Sequence, residues 1–208
     1  MAATSETQIA NLALTRLGHY ELSSLATDQT KEGRVMRAHY EPTRDLLLRA
    51  HPWNWAIARA TLAASSTAPN HEYTYAYPLP DDFLKMVNTY NEIGVVTYFD
   101  AQVGQYIAPD QYRIEIVGGQ RCIVTDESTC SIEYVSKVTD VAQFDPLFVD
   151  LLAQRLACEV CYPITQNSAL NERLWQIFEM KWRDATSSDA QEGTARDMIA
   201  DAWIAARF

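Results

Sequence analysis

DPLFVDLLAQRLACEVCY, residues 145–162, carries apolar side chains on almost every face of a helix. Asp145 followed by Pro146 is a helix opening with a physical reason. The Asp carboxylate accepts an orphan N–H of the first turn, and Pro has none to leave unpaired. Beyond it Leu147, Phe148, Val149, Leu151, Leu152, Leu156, Val160 and Tyr162 nearly encircle the axis. A helix that is apolar all round belongs inside a core, so this stretch predicts the central, most buried helix, running to about Tyr162 and stopped by Pro163.

Helical patterns lie on both sides of it in the chain. SETQIANLALTRLG (5–18) opens with Ser5 and Gln8 at capping-box spacing, places Ile9, Leu12, Ala13 and Leu17 at helical intervals, and stops at Gly18. Residues 31–50 repeat the pattern with Val35, Met36, Tyr40, Leu47 and Ala50; Pro42 should kink or restart that helix, and His51-Pro52 should end it. Residues 167–184 set Leu170, Leu174, Ile177 and Phe178 on one stripe, with Trp175 and Trp182 on its flank.

Between these patterns the period changes. YTYAY (73–77) and RIEIV (113–117) alternate, Gly118-Gly119 separates YRIEIV from RCIVT as a primed hairpin turn requires, and CSIEYVSKV follows the polar DEST. The simplest packing is α+β and mainly α: an antiparallel four-helix bundle made from both chain ends, with a central antiparallel β-rich insertion and a C-terminal arm. The expected divisions are 1–60 for the first half of the bundle, 61–145 for the β-rich insertion, 146–184 for the second half, and 185–208 for a flexible stalk and docking arm.

The arm has its own pattern. After the polar run DATSSDAQEG, the last fourteen residues place Met198, Ile199, Ala202 and Trp203 at helical spacing, with Ile204 beside them and Phe208 at the end. An amphipathic segment on a polar stalk reads as a partner-binding element, free to dock on another chain or to fold back on its own bundle.

Composition narrows the function classes. With 48% hydrophobic residues and few Gly and Pro, the 208 residues suit a packed globular protein. The net charge of -10, from 27 acidic and 17 basic side chains, argues against a grip on nucleic-acid phosphates, which takes clustered Lys and Arg. No basic n-region precedes an apolar run, and the richest apolar stretch is broken by Asp150, Gln154, Arg155 and Glu159, so the expectation is a soluble protein, intracellular when made, with reduced cysteines.

Catalytic signatures are missing. Cys158 and Cys161 form one CxxC with neither a second pair nor a His pair to complete a zinc site, which leaves two buried thiols as the reading. His19, His39, His51 and His71 are dispersed. Asp81-Asp82 follows Pro80 as a capped turn would, and Trp53 and Trp55 in HPWNWA suit packing at the end of a bundle. The expectation is therefore no catalytic residue, no cofactor and no metal.

Taken in order, IANLALTRLG, YEPTRDLLLRAHPWNWA, YAYPLPDDFLKM, YRIEIVGGQRCIVTD, IEYVSKVTDVAQFDPLFVDLLAQRLACEVCYPIT and the closing DAWIAARF span nearly the whole chain. Together they resemble the tail tubular protein A and head-to-tail adaptor (connector) family of tailed bacteriophages. The more specific pieces are the Trp-containing stop after the second helix, the Pro-Asp turn before the β region and the D..QFDPLF lead-in to the third helix. The resemblance implies a structural virion protein at the head–tail junction, made in the host cytoplasm. It implies a ring, dodecameric in this family, between the portal protein and a tail or nozzle protein. DNA would pass through the lumen without specific binding, and no membrane is involved. Two other readings stay open: a monomeric assembly chaperone or binding module, and a glycan hydrolase with two β-region carboxylates about 5 to 9 Å apart in a cleft.

Overall fold

The computed structural model describes residues 5–90, 99–100, 105–106 and 112–192. Among them are four α-helices, α1 (Glu6–Arg16), α2 (Lys31–Ala50), α3 (Pro146–Thr165) and α4 (Ser168–Glu192). The strands are β1 (Ile57–Leu62), β2 (Tyr75–Pro78), β3 (Phe83–Tyr90), β4 (Phe99–Asp100), β5 (Gln105–Tyr106), β6 (Arg113–Val117), β7 (Gln120–Thr125) and β8 (Cys130–Ser136). Short 3₁₀ turns at Asn54–Ala56 and Val141–Gln143 lead into β1 and α3. The chain divides into two compact units, one of Met1–Ile57 with Ser136–Gly193 and one containing Ala58–Val135.

Local chemistry sets the helix ends. Ser5 Oγ accepts from the Gln8 N–H at 3.2 Å, and Gly18 follows the end of α1 with φ of 72°. Thr30 Oγ1 accepts from the Gly33 N–H at 3.1 Å at the start of α2, which runs unbroken through Pro42. Asp145 caps α3 through the Leu147 N–H at 2.7 Å, with Pro146 as the first helical residue. Pro163 does not stop α3. The helix continues to Thr165, whose hydroxyl donates to the Cys161 carbonyl at 2.8 Å, and it ends at Gln166 in the left-handed region with φ of 55°.

The expected four-helix bundle, mainly α with a β insertion, does not form; the fold is a mixed α/β one. Helix α3 packs against each of α1, α2 and α4. Its buried set, from Phe148 through Leu152 and Leu156 to Ile164, includes Gln154, whose side-chain amide donates to the Leu174 carbonyl at 2.9 Å. A helix apolar on every side occupies the centre and leaves three to surround it, whereas a bundle needs four helices at corners, each with one apolar stripe.

The strands form a unit with a core of its own rather than an appendage to helices. Two three-stranded sheets, ordered β1-β8-β3 and β2-β7-β6, share the buried cluster Tyr77, Phe83, Ile123, Cys130, Ile132 and Tyr134. The Gly118-Gly119 turn appears as expected. Both residues have positive φ, 60° and 84°, and Val117 faces Gln120 across the hairpin. Strands β4 and β5 pair with each other, Phe99 opposite Tyr106.

Helix α4 continues to Glu192, through most of the run expected as a polar stalk. Ala185 and Asp189 are buried there, and Asp189 anchors the last turns: Oδ1 accepts from the Asn54 N–H at 3.0 Å and Oδ2 lies 3.0 Å from His51 Nε2. The Asn54 side-chain amide also donates to the Asp189 carbonyl. Asp189→Ala leaves the Asn54 N–H and His51 Nε2 without the carboxylate, at a cost of about 1–3 kcal/mol. Amide exchange should then accelerate at 185–192 and stay slow in α3. Unchanged protection at 185–192 would show that another contact holds this end.

Candidate functional site

In the helical unit, the stop after α2 and the lead-in to α3 interlock. His51-Pro52 ends α2, and Trp53 turns inward to 1% exposure with its indole N–H donating to the Leu47 carbonyl at 3.0 Å. Its ring meets Phe148 edge-on at 5.3 Å and Trp182 at 6.1 Å. Trp55 lies 5.0 Å from Phe148 and 5.5 Å from Phe144. Offset and edge-on contacts of this kind add to the large apolar area each ring buries. As HPWNWA suggested, the tryptophans pack; they do not line an open cage.

Ion pairs fasten the same unit. Arg44 is 2% exposed and donates to Asp45 Oδ1 at 2.9 Å, with Glu6 at 3.7 Å and Lys137 at 2.8 Å from Asp45 Oδ2. Asp150 on α3 accepts from both Arg16 of α1 and Lys181 of α4. The Tyr40 hydroxyl is buried and meets no partner among the described residues; burial, with the Glu6 charge adding, pushes its pKa up.

Cys158 and Cys161 are both free and buried on α3. Burial pushes the Cys158 thiol up to about 12, so it stays protonated and unreactive near neutral pH. Cys158→Ala with Cys161→Ala should cost about 1–3 kcal/mol of stability from lost packing. In the native protein both thiols should resist alkylation until the chain unfolds. Stoichiometric zinc in the purified protein, lost together with folding in the double variant, would contradict this. Among the described residues no three His, Cys, Asp or Glu side chains converge to hold a metal.

In the sheet unit Asp82 and Glu133 have structural partners. Phe83 N–H donates to the Pro80 carbonyl at 3.0 Å, closing the turn that contains Asp81 and Asp82. Asp82 accepts from the Tyr134 hydroxyl at 3.0 Å, and burial together with that carboxylate pushes the Tyr134 pKa up to about 12. Glu133 is buried on β8 and pairs with Arg59 at 3.2 Å.

Among the described residues the sequence did not single out two open surfaces, a groove in the helical unit and strand β6 in the sheet unit. In the helical unit a groove of about 330 Å³ runs between Leu46, Leu47, Ala50, Phe178 and Trp182, with Arg155 at its side. Arg155 is held there by stacking 4.4 Å over Trp175 and by a 2.7 Å contact to Glu159. In the sheet unit, β6 exposes almost its whole length, including Ile116 at 74%. RIEIV alternates as a strand should, but alternation alone does not distinguish an edge strand from a central one.

The partner-binding residues expected from sequence, Met198, Ile199, Ala202, Trp203, Ile204 and Phe208, lie outside the described residues. No helix among the described residues is long and apolar enough to cross a membrane. No protein-family model matches the chain, and a search of curated proteins finds no match.

Proposed function

We propose that this chain is a head-to-tail adaptor of a tailed bacteriophage: a structural subunit, not an enzyme, that assembles as a dodecameric ring between portal and tail or nozzle protein. The ordered series of motifs in the sequence is the basis of the reading. The observation that carries it furthest is that two of the more specific pieces form one structural element. HPWNWA supplies Trp53 and Trp55, and QFDPLF supplies Phe144 and Phe148, which meet at ring separations of 5.0 to 5.5 Å.

Charge is compatible with the role. An acidic subunit repeated around a ring supplies a conduit of negative potential that does not retain DNA, if its acids face the lumen. The same -10 per copy opposes ring closure in the absence of a template. The subunit thus waits in the host cytoplasm and joins the virion at the head–tail junction when it meets portal. Residues 195–208 are the docking arm in this scheme, with Trp203 as the anchor.

Sedimentation of the chain with and without the portal of the same phage tests the proposal. Many copies per portal, with no closed ring in its absence, is the expected result. A transient one-to-one complex that never closes into a ring would favour the chaperone reading instead.

A further inference from the structure

Strand β6 has β7 on one side and, among the described residues, no strand on the other. The two-residue turn makes Val117 and Gln120 the first hydrogen-bonded pair of the hairpin. Alternate residues Val117, Glu115 and Arg113 therefore direct their backbone groups at β7, and Ile114 and Ile116 turn theirs outward. The side chains divide the same way. Ile114 and Ile116 extend the face that carries Ile123 of the shared core, yet they are 40% and 74% exposed. Exposed edges are ordinarily blunted by proline, by charged side chains or by a bulge; RIEIV has no proline, and its two charges, Arg113 and Glu115, are of opposite sign.

We propose that β6 is a self-recognising edge through which two copies of this chain pair antiparallel about a two-fold axis at Ile114. That register sets Ile114 against its own counterpart, Tyr112 against Ile116, and Arg113 against Glu115 of the other copy. Only the residues with outward backbone groups form the new hydrogen-bonded pairs, as the free edge requires. Arg113 and Glu115 fall in the non-hydrogen-bonded positions, where opposed side chains approach most closely. The two-fold repeats this ion pair, so the edge is charge-complementary to itself and to no shifted copy of itself: moving the axis to Glu115 would oppose two glutamates. Arg113 is held by Glu72 at 3.1 Å in the single chain, but both side chains are about half exposed, and such a pair exchanges partners at little cost. Pairing also covers Ile114 and Ile116.

A two-fold contact closes on itself and cannot grow into a ring, so its failure and that of the adaptor reading are distinguishable. Sedimentation equilibrium of the full chain without portal, up to about 0.1 mM where a small interface becomes populated, should show a monomer–dimer equilibrium. Arg113→Glu and Glu115→Arg should each weaken the dimer at least about tenfold, because each turns two attractive contacts repulsive. Mixed together, the two variants should pair with each other, since every cross-strand contact is then again between opposite charges. Both positions are exposed, and circular dichroism checks that the variants fold. A wild-type chain that stays monomeric over this range, single variants that dimerise like wild type, or variants that fail to pair when mixed would overturn the proposal.

Discussion

Trp53→Ala should lower the unfolding free energy by about 3–5 kcal/mol, the range for removing a large aromatic from a close-packed core. Three losses combine at this position. The cavity lies at 1% exposure, so water does not relieve it; the Leu47 carbonyl loses its 3.0 Å donor; and Phe148, Trp182 and His51 lose the ring they pack against. Urea unfolding followed by circular dichroism measures the change. Trp175→Ala is the control, because that ring touches Phe178 and Arg155 rather than the interlock; its cost should be near 1 kcal/mol, as for an ordinary substitution. Equal effects at the two positions would mean that Trp53 is not the keystone of the interlock.

Ending the chain at Glu192 should leave the helical unit folded and abolish stable attachment to portal. Every contact described in that unit is made by residues up to Glu192, and α4 keeps its Asp189 anchor. In the adaptor reading the lost residues are the docking arm, and Trp203 is its largest apolar group. Truncating a buried interface aromatic alone commonly costs about 2 kcal/mol or more, so Trp203→Ala should weaken binding roughly thirtyfold. The measurement is co-sedimentation of each variant with portal. A truncated chain that mounts with unchanged affinity would remove the arm from the interface; one that fails to fold would assign it to the chain's own core.

The features legible in sequence are those that nearby residues decide. Ser5, Asp145 with Pro146, and Gly118-Gly119 act within a few positions of themselves, and each forms the cap or turn that its chemistry demands. The apolar circumference of 147–162 marks α3 as central, and a helix packed on all three others is incompatible with a four-cornered bundle. Where distant residues decide, the pattern misleads. ATSSDAQE is helical because Asp189 reaches His51 and Asn54, which lie far away in the chain and carry no local mark. The 61–145 stretch announced strands but not their partition into two sheets around Tyr77, Ile123 and Tyr134, since pairing order is a long-range property. That β6 has no second neighbouring strand among the described residues is a long-range property of the same kind.

In the adaptor reading many copies of this chain close a ring on a portal. Electron microscopy of purified portal, imaged with and without the chain, tests it most directly by showing the density added at one end and its rotational symmetry. A continuous dodecameric ring seated on portal, with no rings in the sample of chain alone, is the predicted result. Bare portals, or isolated copies bound without lateral contact to one another, would contradict it.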